Sequence, residues 1–570
     1  MKKQPVLPPT EWGVSKYGIP LRVNSDPNRQ FVDGCALDVE DDEAGGFVGL
    51  GIYDGEAAYY WSDWELAKQL TLPKFIAHNG RSDLAKLKKW GFKVDESFLL
   101  WDTQLYGHLI DSSRHSFGLK ALAKEELGID YPSYEDLCGR KTNKNHTTLD
   151  KLPVELVSEY NAQDCHVTAK LKDAQEKQVR PEDREFFERL SKPLSFVFQR
   201  MEERGIRVDL PYLRDELKPK LEAQKQPIED FIKNELGPIN LNSPKQLLTA
   251  LAAKGINPVG VKGKLRGKPS TDKSALGRIR HPICTALLAY SEVETLLSTF
   301  VNKYLERGQD VVHPFFNQTG TRTGRLSCSN PNLLQIPKRS ENGKLVRRMF
   351  VAREGCLLGD CDFGQIEPRL LAHLSKDKAM LEMFNSGTDF HTFTSERLGI
   401  SRDTAKVLNL SVGYRATFKS VSQQLKCGER AAQQEIDRWW AMFPGLYDWQ
   451  QNLIYNAKKT GYFETLLGRR IKVEDLNHGN KFRREGAERQ LINNIAQGSA
   501  AEVMQVAMIE VDKAGIDILV QVYDELLFES PEQSISGDLE IVVDKMTNAI
   551  KLDVPLTVDG NIGQNWSECK

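Results

Sequence analysis

Hydrophobic and polar positions change period several times along the chain, and each change predicts an element. Ala36, Leu37, Asp38, Val39 and Glu40 alternate strictly, which predicts a strand with Leu37 and Val39 on one face and Asp38 and Glu40 on the other. Further on, Leu357 and Leu358 open an apolar run that reaches Asp360 and Asp362. The chain then turns at Gly364 and takes up helical spacing through Ile366, Leu370, Leu371 and Leu374. That pattern reads as a buried strand ending in a carboxylate, followed by a helix carrying Glu367 and Arg369. Ile518–Phe528 is apolar and β-prone on both sides of Asp524 and Glu525, a hairpin with adjacent acids at its tip. Arg402, Lys406, Leu410 and Tyr414 are spaced by four. Each step drifts only about 40° around a helix, so one broad face of one helix is predicted. From about 185 to 310 the pattern is that of long helices, interrupted at 240–247 and at the basic, glycine-rich 261–271.

The polar positions on these elements suggest chemistry. Carboxylates delivered by two separate strands, Asp362 and Asp524, can clamp a pair of cations, a geometry suited to in-line phosphoryl displacement. Mg²⁺ suits it best, because that ion takes few carboxylates and completes its shell with substrate phosphates and water. Acids at strand ends also serve simply as helix caps. The face with Arg402, Lys406, Leu410 and Tyr414 offers cations for phosphates, then an apolar and an aromatic residue for sugar and base; a solvated amphipathic helix has the same spacing. Asp38 and Glu40 could hold a cation pair or form the polar face of an edge strand. Asn79 and Asp83 lie at a helix start, and Tyr160 and Asp164 stand one helical turn apart on one face.

Taken together, the three stretches around Asp362, Arg402–Tyr414 and Asp524 resemble motifs A, B and C of the family A DNA polymerases. The resemblance extends in order to Thr323-Gly-Arg-Leu-Ser327, Pro331-Asn-Leu-Leu-Gln-Ile-Pro337, Glu464-Thr-Leu-Leu-Gly-Arg-Arg470, Gln497-Gly-Ser-Ala-Ala501, Leu552-Asp-Val-Pro-Leu556 and Asn565-Trp566. Asp38, Glu40, Asp83 and Asp164 with Tyr160 resemble the DEDD-type 3′–5′ exonucleases of the tyrosine subclass.

The resemblance implies an α/β multidomain protein: a ribonuclease H-like exonuclease domain followed by a right-hand polymerase. The expected division is a lead-in at 1–30, exonuclease at 31–185 and polymerase at 186–570. Within the last, the thumb is expected at about 200–310, the palm at 311–380 and 490–570, and the fingers at 381–489, shortened before Arg402. Implied roles follow. Asp362 and Asp524, with the Phe363 carbonyl, bind two metals, and Glu525 supports them. Arg402 and Lys406 bind the β- and γ-phosphates, and Lys406 protonates the departing pyrophosphate. Gln365, His391, Leu410 and Tyr414 complete the dNTP site, and Glu367 is a steric gate against a ribose 2′-OH. Arg325 probes the minor groove of the nascent pair, where acceptors are alike for all correct pairs. Arg489, Asn493 and Gln497 line the template side, and Tyr523 meets the primer end. Arg339, Arg347 and Arg348 are expected to make generic backbone contacts. In the exonuclease, Asp38, Glu40 and Asp164 hold two Mg²⁺ (Mn²⁺ can substitute), Asp83 coordinates directly or through water, and Tyr160 orients the attacking water.

Three positions depart from the family pattern. Pro368 follows the gate in place of the commoner Leu, which the first turn of a helix tolerates. Leu410 replaces an aromatic, which predicts changed handling of dideoxynucleotides, and Tyr523 replaces a His. Asp360, two residues before Asp362 on the same strand face, has no role in the pattern.

Bulk properties set the remaining limits. At 570 residues several domains are expected. A net charge of -2 neither favours nor excludes nucleic acid, since a basic channel and acidic sites cancel in the sum. Nine cysteines without a CxxC pair suggest reduced thiols in a cytoplasm, a host's if the protein is phage-encoded. No apolar run approaches bilayer-spanning length and no signal peptide is evident. A monomer is expected, with primer–template DNA, dNTPs and single-stranded DNA ends as ligands and a replisome helicase, primase or single-strand-binding protein as further partner classes. Nothing ahead of residue 30 reads as a 5′-nuclease domain, which suggests a compact replicative enzyme, and the thumb has no room for a large clamp-binding insertion. Two competing readings are a single-subunit RNA polymerase, which Glu367 and the proofreading acids oppose, and a slow repair-type factor that mainly binds primer–template.

Overall fold

The computed structural model describes residues 13–140, 145–260, 266–338 and 340–569. Its N-terminal unit is built on a seven-stranded mixed sheet with Cys35–Asp41 inside it, antiparallel to Phe47–Tyr53 and parallel to Phe75–Ala77. The alternation read from the sequence is realised. Leu37 and Val39 enter a core with Leu50, Ile52, Trp61 and Phe75, which turns Asp38 and Glu40 to the opposite face, toward the helix Val154–Glu176. Gly51, paired with Asp38, lets that helix come close: a Cβ there would fall 1.6 Å from Asn161 Oδ1. Asp102 joins two helices by accepting four backbone N–H groups, from Asn79 (3.2 Å) and Gly80 (2.8 Å) at one helix start and from Gln104 (2.9 Å) and Leu105 (3.1 Å) at the other.

The long helices expected between 185 and 310 are present, among them Lys192–Arg204, Lys218–Leu236 and Pro282–Thr295. They are framed by a small sheet in which Ile206–Val208 pairs with both Val311–Val312 and Phe350–Val351. The helices from 210 to 307 are therefore an excursion whose two ends are held side by side by strands. They have a core of their own, including Ile232, Leu251, Ile283 and Leu287. The interruption at 240–247 is a turn into the helix Pro244–Ala253, capped by Ser243. Of the basic interruption at 261–271, residues 261–265 lie outside the described residues, as does Arg339.

The C-terminal unit centres on a four-stranded antiparallel sheet in the order Asp517–Val522, Glu525–Pro531, Cys356–Phe363, Val558–Gly563. The helices Lys481–Lys513 and Ile535–Thr547 back it. A helical subdomain from Ile366 to Thr460 stands beside it around Phe384, Phe390, Trp439 and Phe443. The apolar core of the sheet runs without a break into Ile76, Trp101, Leu105 and Tyr106 of the N-terminal unit. Polar contacts across the same junction include Arg81 to the Phe316 carbonyl (2.7 Å) and His108 to the Thr321 carbonyl (2.8 Å).

Candidate active sites

The strand Cys356–Phe363 places Asp362 opposite Glu525 in register, and the Phe363 N–H donates to the Asp524 carbonyl at 3.0 Å. The backbones carrying Asp362 and Asp524 are thereby stitched together, although 162 residues separate them (524 − 362). The hairpin differs from its expected form in one respect. Its tip is Tyr523–Asp524, with Tyr523 at φ +58°, while Glu525 already belongs to the second strand and is buried. Glu525 Oε1 accepts from Arg347 and from the Trp566 indole, both at 2.8 Å, and Oε2 accepts from Lys338 at 3.0 Å. Lys338 also reaches Asp362 Oδ2 at 2.8 Å. Desolvation and the charge of Asp362 push the Asp524 carboxyl up to about 6.

Gln365, in the left-handed region at φ +53°, starts the helix Ile366–Ser375 and puts Glu367 in its first turn. Glu367 is held from two sides, by Arg325 at 2.5 Å and the Tyr414 hydroxyl at 2.6 Å. Desolvation and this carboxylate keep the Tyr414 phenol well above its ordinary range. A cleft of about 850 Å³ opens here. It is lined by Gln365, Glu367, Leu410 and Tyr414, by Arg325, Arg489, Asn493 and Tyr523, and by Asp524. Gln497 and Asp362 fall outside its lining, as do His391, Arg402 and Lys406.

The four-residue row 402–414 is not a single helix. The helix ends at Ser411, and Tyr414 lies on a following turn, so Arg402, Lys406 and Leu410 project from an exposed face while Tyr414 points to Glu367. Asp389 accepts from Gln365 (2.9 Å) and Arg402 (3.1 Å), and hydrogen bonds hold its carboxyl down at about 2 against partial burial. His391 contacts Asn409 at 3.1 Å.

In the N-terminal unit, Asp38, Glu40 and Asp164 each present a ligand oxygen, all within 4.8 Å of one another. Among the described residues, this is the one group of three or more such side chains that converge in this way. Asp164 and Tyr160 come from the helix Val154–Glu176, and Asp83 from the helix Gly80–Lys89, buried and facing Asp38. Desolvation, then mutual repulsion, raises Asp38, Asp83 and Glu40, the last to about 7. Asp164 is raised by desolvation against the pull of Lys120. Clustered oxygen donors whose charges repel are what a hard divalent cation requires, so the residues fit such an ion.

Residues 211–568 match the family described as DNA polymerase family A, and residues 60–180 match a 3′-5′ exonuclease family. The chain belongs to the family A DNA polymerases. It is 34% identical over 524 residues to DNA polymerase I of Chloroflexus aurantiacus, covering 87% of this chain and 55% of that one. It is 38% identical over 404 residues to a thermostable DNA polymerase I of Thermus filiformis, covering 67% and 48%. The chain thus spans about half the length of the curated relatives it matches. A solved structure, the POL domain of Pol1 from M. smegmatis in complex with DNA primer-template and dNTP, superposes with a TM-score of 0.79 at 29% identity, covering 94% of this chain and 96% of that one.

In this family A polymerase the exonuclease match begins at residue 60, so the place of Asp38 and Glu40 beside Asp164 rests on the geometry. Several neighbours of the two sites were not singled out in the sequence. Lys120 pairs with Asp164 and lies 4.3 Å over the Tyr160 ring and 3.9 Å over Tyr131. Asn161 donates to Asp38 Oδ2 at 2.8 Å. Lys338 and Asp389 are the equivalents in the C-terminal unit. Arg347 is corrected: it is buried against Glu525 and Trp566 rather than presented to a phosphate, and drawing it out would strip Glu525 of its buried cation. Arg348 stacks on Tyr212 at 4.6 Å. Among the described residues no helix is long and apolar enough to cross a membrane.

Proposed function

We propose that this chain is a template-directed DNA polymerase that extends a primer 3′-OH with dNTPs, and that its N-terminal unit is a 3′–5′ proofreading exonuclease. The observation that carries the reading is the 850 Å³ cleft, in which separate segments bring Glu367, Leu410 and Tyr414 to Arg325, Arg489, Asn493, Tyr523 and Asp524. The likeness to a polymerase solved with primer–template and dNTP supports the same ligands here.

Asp362 and Asp524 would hold Mg²⁺ in the polymerase site, and Asp38, Glu40 and Asp164 in the exonuclease. Bound there, such ions lower the pKa of the attacking hydroxyl or water and offset charge on the phosphate. The chain does the rest. Glu367, fixed by Arg325 and Tyr414, excludes a ribose 2′-OH; this supports dNTP selection over an RNA polymerase reading. Arg402 and Lys406, exposed and one helical turn apart on one face, receive the triphosphate, and Lys406 delivers a proton to the leaving pyrophosphate. Asp389 keeps Arg402 and Gln365 oriented. Arg489, Asn493 and Gln497 guide the template along the helix Lys481–Lys513. In the exonuclease, Tyr160 orients the water, and its phenol stays protonated because desolvation and Asp164 raise it far above neutrality. Nine free cysteines suit a reducing cytoplasm.

Primer extension tests both halves. With Mg²⁺ and all dNTPs the primer should lengthen to the template end; with dNTPs withheld it should shorten from its 3′ end. Extension that ignores the template would overturn the first assignment, and an intact primer the second.

A further inference from the structure

Lys338 ties together two acids of the polymerase site. Its ammonium lies 2.8 Å from Asp362 Oδ2 and 3.0 Å from Glu525 Oε2, bridging carboxylates from two neighbouring strands. The second partner cannot move to follow it. Glu525 is buried, with side-chain exposure of 2%, and its other oxygen is pinned by Arg347 and Trp566. The lysine and Asp362 are the exposed half, with side-chain exposures of 40% and 35%. An ion that uses Asp362 Oδ2 must therefore take from Lys338 an oxygen the lysine already holds, and an ammonium this close repels a dication on either oxygen of the carboxylate.

We propose that Lys338 is a displaceable internal counter-ion of the polymerase metal site: it balances Asp362 when no metal is bound and competes with the metal for that carboxylate. It is a positioning residue. In the metal-free chain it keeps the Asp362 side chain turned to the strand pair; when metal arrives, its exposed stem lets the ammonium withdraw while Glu525 stays fixed by Arg347 and Trp566. The inference rests on the reading of Asp362 and Asp524 as the metal carboxylates.

Binding of Mn²⁺ alone, without DNA or nucleotide, tests it. The full-length chain is used with the exonuclease cluster neutralised by Asp38→Asn and Asp164→Asn, and the affinity is read by titration calorimetry and electron paramagnetic resonance. Lys338→Met should tighten Mn²⁺ binding by about fivefold, the worth of one exposed ion pair. Lys338→Arg, which keeps the charge, should stay near the parent. Lys338→Met should also lower the melting temperature in chelator, with the gap closing when Mn²⁺ is added. Lys338→Gln serves in its place should the Met variant lack a cooperative unfolding transition. Unchanged or weaker Mn²⁺ binding in the neutral variants overturns the proposal. Asp362→Asn separates the two readings. If it abolishes the binding event and the neutral variants leave affinity unchanged, the lysine inference alone falls. If it leaves the event intact, the metal-site reading falls and this inference with it.

Discussion

The two acidic sites use the same donors and balance them in opposite ways. In the N-terminal site the acids face one another. Asp83 and Asp164 are buried, Asp38 and Glu40 half-buried, and desolvation followed by mutual repulsion raises Asp38, Asp83 and Glu40. Lys120 pairs directly with Asp164, and Lys86, paired with Asp41, pulls on Asp38, Glu40 and Asp83, but the two do not offset the desolvation. In the C-terminal site Asp524 is likewise raised by desolvation and by Asp362, but Asp362 and Glu525 share Lys338, and Glu525 also has Arg347 and the Trp566 N–H. The number of carboxylates therefore does not set how strongly a site calls for metal. What sets it is how much positive charge the fold already supplies at the same oxygens.

The largest expected effects test whether the two sites are independent. Asp38→Ala should cut degradation of single-stranded DNA on the order of 10³-fold or more, the scale of losing a metal's charge stabilisation, with extension intact. Asp362→Ala should do the reverse. Both are read on one labelled primer–template with and without dNTPs; loss of both activities from either change would break the comparison.

Glu502 separates burial from crowding, because it is buried and, among the described residues, no acid contributes to its shift. It accepts from the Thr465 hydroxyl and from the Leu467 N–H at 2.8 Å, with Arg469 Nε 3.8 Å away. Desolvation still wins and raises it from 4.5 to about 7. The folded state thus holds the proton more tightly than the unfolded chain. The resulting stability is fully present below about pH 4.5 and is lost as pH rises through about 7. That loss is worth up to roughly 3 kcal/mol. Urea denaturation across pH 5 to 8 should show this slope in the wild type and a flatter one in Glu502→Gln; parallel slopes would mean that burial alone does not shift the group. A smaller effect is expected at the proposed gate. Glu367→Ala should lower discrimination against ribonucleotides by about 10- to 100-fold, the range for one steric contact, seen as the ratio of dNTP to rNTP kcat/KM.

Much of this architecture was legible in the chain, and the gaps share one cause. The strand Cys35–Asp41 was readable because its period of two holds from Leu37 to Glu40, and Asp362 because a short apolar run before it turns at Gly364 into helical spacing. Tyr160 and Asp164 were readable as one helical turn. The misread features depend on contacts that local spacing does not encode. Lys120 lies 44 residues from Asp164, and Lys338 lies 187 from Glu525. Arg347 looked like one of a basic cluster until its burial against Trp566 was visible. Adjacent acids at Asp524 and Glu525 suggested a shared tip, but a two-residue turn ends at Asp524 and the strand turns Glu525 inward. The spacing of four through Tyr414 continued past the end of its helix at Ser411.

The metal-free protein exposes the charge balance of the two sites directly. Asp38→Asn removes one of several mutually repelling carboxylates. The Asn carbonyl can still accept the Asn161 Nδ2 bond that Asp38 Oδ2 accepts at 2.8 Å, so no buried donor is orphaned. Asp362→Asn removes one charge that Lys338 faces and leaves its pair with Glu525 in place. In chelator, Asp38→Asn should therefore raise stability by about 1 kcal/mol, while Asp362→Asn should leave it unchanged or slightly lower, an exposed pair being worth roughly 0 to 1 kcal/mol. Thermal unfolding with and without added Mg²⁺ measures both. The advantage of Asp38→Asn should vanish with metal, because the ion takes over the task of screening the acids. Equal shifts for the two variants in chelator would show that the sites are balanced alike, and the contrast drawn between them would then be wrong.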